Sequence, residues 1–263
     1  MSNYSQKFNK LKKCPICESK SLVFVSKIHS DIKKVGSKYD LLKCKNCLHR
    51  VISEIPKENF LKNLYKNESS MVIGDRHNQS RLKQKFIDGR FSKVMSDKKH
   101  WVLDYVDIKK GNYFELGPGF CNLYKRFHEM GWKCQGVELR SFIKAPGIKK
   151  DINKISNNHS NVAVALDVLE HVSDPIKYLK NINKKLKKGG KIFLTFPHSE
   201  SYKSKILKDR WLMVSPLSHL HYFSMQSTKI MLRKSGFKIF LIKDFSLIQP
   251  RRLIRNFLKL PLL

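Results

Sequence analysis

Apolar residues along this chain follow two different periods, and each period marks a different kind of element. Residues 22–28 and 38–43 alternate apolar with polar, as short strands with one covered face do. Residues 161–166 are a continuous apolar run, as in a strand covered on both faces, and residues 113–116, 132–137 and 191–196 read as further short strands. Between them, residues 120–130 and 175–186 repeat at helix spacing. Gly131 stops the first of these helices; Asp174 and Pro175 open the second, and Gly189-Gly190 stops it. Only a brief connection follows Glu138, so a turn around Pro146-Gly147 replaces a helix before a strand at 148–152. Ser224 is placed to cap a helix over 225–234, and a sixth strand is expected over 238–242, with no clear seventh. Helices at 59–65 and 79–106, the latter carrying Phe86, Phe91, Val94, Trp101, Val102 and Tyr105, fill the stretch before the first buried strand.

Strand, helix and strand in repetition imply an α/β fold with a mostly parallel, doubly wound, Rossmann-like sheet. The chain divides by pattern into a small ribbon over 1–53, a helical linker or lid over 54–110, a main domain over 111–248 and a basic amphipathic tail over 249–263. A length of 263 residues suits one such domain with a small accessory module.

Candidate chemistry concentrates at the ends of the buried strands. Gly117-Pro118-Gly119 makes a tight turn between a strand and a helix, where glycine lets backbone approach a ligand and the helix start offers unpaired N–H groups. Glu138 ends the next strand, where a carboxylate can accept both hydroxyls of a ribose. The third glycine of a dinucleotide fingerprint is replaced by Asn122, and a P-loop is absent. What remains, Glu115 with Gly117 and Gly119, resembles motif I of the class I S-adenosylmethionine (SAM) methyltransferases, with Cys121 standing where the last glycine usually is. That resemblance implies SAM as cofactor, the 117–119 loop at its methionine end, Glu138 at its ribose and Asp151 near the adenine amino group. Asp167-Val-Leu-Glu170-His171 with Asp174-Pro175 resembles the segment after strand four in the same family, which implies Asp167 at the cofactor and the Asp167–His171 segment at the floor of the substrate cleft.

Cys14-Pro-Ile-Cys17 and Cys44-Lys-Asn-Cys47 are two C-x-x-C knuckles, a spacing that closes a tetrahedral thiolate shell around structural zinc. Four thiolates leave no open position, so that metal has no catalytic role, and His49 reads as a surface residue beside it. The run Ser218-His219-Leu220-His221-Tyr222-Phe223-Ser224 resembles an element of SAM methyltransferases that carry such a ribbon, some of which act on nucleotide-linked keto sugars with a Glu-His pair at this point. Here Ser218 takes the place of the glutamate. A neutral His219 near the methyl donor can act as a base, or can simply tie this loop to the sheet; His171 poses the same choice.

The net charge of +32 invites a nucleic-acid reading, but lysines are spread along the whole chain and arginine, the better phosphate fork, is scarce. The acceptor expected from the resemblance is a small molecule, a sugar or glycan precursor; RNA, a quinone or lipid, and a non-catalytic scaffold role are the alternatives. Residues 249–263 place apolar side chains on one helical face and basic ones on the other, suited to peripheral contact with an anionic membrane or to docking on protein. No apolar run approaches the ~18 residues of a membrane span, and the first residues lack the apolar core of a signal peptide, so a cytoplasmic protein is expected.

Overall fold

The computed structural model describes residues 7–29, 38–67, 100–119, 122–140, 145–211 and 213–244. Of the helix expected over 79–106, residues 79–99 lie outside the described residues, as do Phe120 and Cys121 of the glycine turn and the 249–263 tail, while His100–Tyr105 form a 3-10 helix.

A five-stranded parallel sheet forms the centre. Its strands are β6 (Asn112–Leu116), β7 (Lys133–Val137), β8 (Ile148–Lys149), β9 (Ser160–Leu166) and β10 (Leu186–Thr195). The spatial order is β10-β9-β6-β7-β8, and every neighbouring pair is parallel. The chain therefore runs outward from β6 through β7 to β8, then returns to lay β9 on the other side of β6. That reversal puts a crevice at the carboxyl ends of β6 and β9. The apolar runs are central because they are buried from both faces: on one side Tyr113, Val162 and Val164 meet Leu123, Tyr124 and Phe127, while on the other Phe114, Leu116, Ala163 and Ala165 meet Leu179 and Ile182.

The flanking helices start and stop where their local chemistry dictates. After helix α1 (Glu58–Asn67), α2 (Asn122–Glu129) follows the glycine turn and ends before Gly131, whose φ of +78° reverses the chain into β7. Helix α3 (Pro175–Lys185) has Pro175 in its first turn and Asp174 as N-cap, its side chain accepting from the Lys177 amide. It ends one residue earlier than its pattern implies, because Leu186 already pairs with Ser160; the ladder then skips to Lys191. Helix α4 (Tyr202–Leu207) precedes α5 (Met225–Lys234), which opens on a Ser224–Ser227 capping box.

The cysteine-bearing ribbon is a second sheet. Strands β2 (Leu22–His29), β3 (Lys38–Cys44) and β4 (Arg50–Ile52) pair antiparallel, and β11 (His221–Tyr222) completes the order β11-β4-β3-β2. A residue pair far apart in sequence, His221 with Val51, thus joins the ribbon to the main domain. A two-stranded sheet of β1 (Phe8–Lys10) and β5 (Glu54–Pro56) closes its base.

Three expectations change. Residues 148–152 do not form one strand: β8 stops at Lys149, and Asp151 caps a 3-10 turn over Ile152–Lys154. No strand forms over 238–242, although the segment is almost entirely apolar. Phe240 there is 87% exposed, so the segment has no covered face to reward pairing. His49 is not on the surface: it is fully buried against His221, the rings 5.3 Å apart and Nε2 3.1 Å from the His221 Nδ1.

Candidate active site and cysteine centre

The crevice is floored by the turn after β6. Gly117 has φ +66° and Gly119 φ +57°, in the left-handed region where a side chain is strained. A Cβ at Gly117 would stand 2.8 Å from Cγ2 of Val168, so the loop lies directly against the segment after β9. This cradle, narrow enough that only glycine fits, suits the close approach of a nucleotide-like cofactor. Pro118 between the two glycines is buried. Glu115 lies upstream, 1% exposed, and accepts a hydrogen bond from the Tyr113 hydroxyl at 2.8 Å; it braces β6 beneath the loop.

Glu138 ends β7 and points across to the loop, where its Oε2 accepts the Gly119 amide at 3.2 Å. Arg140 wraps the same carboxylate. Its amide and Nε donate to Oε1 at 2.9 and 3.0 Å, and its Nη2 donates to Oε2 at 2.7 Å. Four donors fill the lone-pair sites of one carboxylate. Burial works against its charge, but the bonds and charge of Arg140 hold Glu138 below the usual carboxylate range. Arg140 was not singled out from sequence, although it stands two residues after Glu138.

Asp151 follows β8, is exposed, and accepts the Asn153 amide at 2.9 Å. Asp167 follows β9 with φ +54° and accepts the Thr195 hydroxyl at 2.9 Å. Gly117, Glu138, Asp151 and Asp167 therefore all sit just past the carboxyl ends of parallel strands, as their sequence positions imply.

The segment after Val168 carries a second polar group. The His171 and His219 rings are 4.7 Å apart. The His171 Nδ1 meets the Ser218 carbonyl, and the His219 Nδ1 lies 2.6 Å from the Met213 carbonyl. A carbonyl only accepts, so the ring nitrogen that faces it carries the proton, and His171 also meets the Asp167 backbone. Burial, then the neighbouring His219 ring, lowers His171 to about 3; burial also lowers His219. Both are neutral at physiological pH. Glu170 completes the group. It is fully buried, neither carboxylate oxygen meets a side-chain donor among the described residues, and Oε1 is 3.8 Å from the His171 Nε2. Burial, reinforced by the Asp167 charge, holds Glu170 well above the usual carboxylate range. Glu170 was visible within the D-V-L-E-H run, but its approach to His219 was not.

The four ribbon cysteines converge. Their sulfurs lie within 4.8 Å of one another, with Cys14–Cys47 at 3.6 Å and Cys17–Cys44 at 3.5 Å. Disulfide sulfurs stand ~2.05 Å apart, whereas thiolates each ~2.3 Å from a tetrahedral zinc ion stand ~3.7 Å apart. The donor set therefore fits structural zinc. Cys14, Cys44 and Cys47 are fully buried, and the Ser224 hydroxyl donates to the Cys47 carbonyl at 2.6 Å, fastening the cluster to the cap of α5.

The buried histidines imply a definite acid response. His49 is held well below its ordinary range by burial, His221 is lowered to about 4 and His171 to about 3 for the same reason. Below about pH 6.5 the unfolded chain takes up protons that the folded chain refuses, so stability falls with pH. Each such histidine is worth up to about 1.4 kcal/mol per pH unit there. Raised Glu170 acts in the opposite sense over the same window, offsetting about one of the three. We expect net destabilisation of about 4 kcal/mol between pH 6.5 and pH 5, read as a lowering of Tm by about 10 °C. A melting temperature flat across this interval would contradict it.

A family model described as a methyltransferase domain matches residues 86–241, more than half of the chain. No curated protein matches. Among solved structures, a SAM-dependent methyltransferase from Archaeoglobus fulgidus is 16% identical, with 68% of this chain and 90% of that one covered and a TM-score of 0.48. One from Mesorhizobium loti is 18% identical, covering 58% and 88%, with a TM-score of 0.44. One from Methanosarcina mazei is 16% identical, covering 53% and 85%, with a TM-score of 0.43. The family match spans the glycine loop, every strand of the parallel sheet and the segment after β9, and on that extent this chain belongs to the class I SAM-dependent methyltransferases.

Proposed function

We propose that the chain methylates a hydroxyl-bearing small molecule, a sugar or glycan precursor, with a zinc ribbon clamping the segment that forms the acceptor side. One observation supports the reading: the glycine loop touches Val168, and Glu170 and His171, which follow Val168 in the chain, gather with His219 and the nearby Asp167. A polar acceptor side suits hydroxyl groups better than a quinone ring. SAM, when bound, supplies a methyl group already activated on a sulfonium, so the protein's contribution is chiefly orientation. In this reading the 117–119 loop takes the methionine end, Glu138 the ribose and Asp151 the adenine edge. Arg140 must release at least one carboxylate oxygen for the ribose to bind.

His219 would meet the acceptor, with the His171 ring beside it. Its Nδ1 contact with the Met213 carbonyl holds the ring in place. The ribbon, proposed to span 1–53, reaches this side through β11, which carries His221 next to the loop. Reduced cysteines at both knuckles fit a reducing compartment such as the cytoplasm.

The test is label transfer from methyl-labelled SAM across a panel of nucleotide-linked sugars, free glycans, quinones and RNA. Methylation of a nucleotide-linked sugar or glycan, with an equal yield of S-adenosylhomocysteine, is the expected result. Label entering only RNA or only a quinone would overturn the acceptor assignment.

A further inference from the structure

Arg140 holds a position that bracing Glu138 does not fully explain. Its side chain is buried, and its guanidinium forks onto both oxygens of the Glu138 carboxylate. The same group lies against the glycine loop, where a Cβ at Gly119 would stand 3.5 Å from Nη2. Its charge is also felt at His171, where it opposes protonation. The guanidinium therefore touches two parts of the crevice, and its field reaches a third, the segment after β9. Ribose hydroxyls on Glu138 need lone pairs that are now filled. Two of the four donors are the Gly119 and Arg140 amides, which the backbone holds in place. The donors that can give way are Nε and Nη2. Lys150 donates to the Arg140 carbonyl at 2.6 Å, so the backbone stays anchored while the side chain turns. A guanidinium cannot shed its charge, and a buried charge parted from its counter-ion is costly. Binding of the ribose thus leaves Arg140 in demand of a new anion.

We infer that Arg140 is an anion subsite that opens when the ribose takes Glu138, and that its ligand is a phosphate group of the methyl acceptor. The guanidinium fork matches phosphate as it matches the carboxylate, with two N–H donors on two oxygens. A nucleotide-linked sugar carries such a group; a quinone does not. Cofactor and acceptor then bind cooperatively, because the first releases the guanidinium that the second takes up. The carboxylate of the cofactor is another source of the same charge, and variants of Arg140 separate the two. A guanidinium that turned out to water instead would produce no cooperativity. This inference rests on the methyl-transfer reading above, and it adds to that reading the part of the acceptor that is recognised.

The probes are inorganic pyrophosphate and uridine diphosphate, titrated calorimetrically into zinc-loaded protein with and without saturating S-adenosylhomocysteine. That ligand lacks the sulfonium charge of SAM, which would attract an anion by itself. Binding to surface lysines is common to both titrations and cancels. We expect S-adenosylhomocysteine to tighten binding of each probe about 5- to 150-fold, the usual span of a coupling between sites, and each probe to tighten S-adenosylhomocysteine by the same factor. Arg140→Ala should still bind S-adenosylhomocysteine but lose the coupling, and Arg140→Lys, a point charge without the fork, should weaken it. If Arg140→Ala fails to fold, Arg140→Lys and the wild type carry the test. Equal probe affinity with and without S-adenosylhomocysteine in the wild type would overturn the subsite, as would full coupling in either variant. Loss of S-adenosylhomocysteine binding in folded Arg140→Ala would assign the guanidinium to the cofactor's carboxylate instead. Coupling to a short RNA but to neither diphosphate would overturn the acceptor class. Folded wild-type protein that does not bind S-adenosylhomocysteine at all defeats the methyltransferase reading and this subsite with it, whereas binding without coupling defeats the subsite alone.

Discussion

Replacing Cys44 with serine should release zinc from the ribbon and lower the stability of the whole chain, not of the ribbon alone. Cys44 is fully buried, and its sulfur lies 3.5 Å from that of Cys17. The cluster packs into the same core as Phe223, Met231 and Leu232. The Ser224 hydroxyl bonds to the Cys47 carbonyl, and Lys234 of α5 pairs with Glu18 at 2.8 Å. Strand β11 forms the edge of the ribbon sheet, and a separate core cluster joins Leu41, Val51 and Ile52 to Trp211, Leu217 and Tyr222. Melting the ribbon therefore frees residues 211–224, which carry His219. Loss of a structural metal is among the few single-site changes that cost about 4 kcal/mol or more, which corresponds to a drop in Tm of roughly 8–16 °C for a chain of this size. Metal analysis and thermal melting check both halves. A Cys44→Ser protein with one zinc per chain and an unchanged melt would remove the four-thiolate centre.

Glu138→Ala should weaken SAM binding by about 1–3 kcal/mol, the cost of losing hydrogen bonds to a buried polar ligand, or roughly 5- to 150-fold in Kd. Arg140→Ala separates the two roles of this pair. It opens both carboxylate oxygens, so affinity for SAM should hold or increase while stability falls, because Glu138 at 5% exposure loses its counter-charge. Unchanged affinity in Glu138→Ala would take the residue out of the cofactor site. Loss of binding in Arg140→Ala would mean that the guanidinium itself meets the cofactor.

The parallel sheet was legible from the unbroken apolar run at 161–166, which fits a strand covered on both sides, and from the glycine and proline stops around the other strands. The caps at Asp174 and Ser224 and the paired cysteines were legible because each is a local rule with a fixed spacing. What escaped detection was pairing over long distances. Strand β11 is two residues long, too short for any period, and its partner β4 lies near the other end of the chain. His49 looked exposed because nothing near it in sequence reveals that His221 stacks on it. The 238–242 stretch misled in the opposite direction: an apolar run shows that a segment could be covered, and here Phe240 is left exposed. At the site, the strand-end positions of Gly117, Glu138, Asp151 and Asp167 followed from pattern. The Arg140 clamp on Glu138 and the approach of Glu170 to His219 depend on side-chain directions that only the folded chain specifies.

The central claim is a SAM site at the carboxyl ends of β6 and β7. Calorimetric titration of folded, zinc-loaded protein with SAM, and separately with S-adenosylhomocysteine, tests it most directly. The account predicts that each binds once per chain in the micromolar range. Absence of heat with both ligands, from protein whose melt and zinc content are intact, would contradict it.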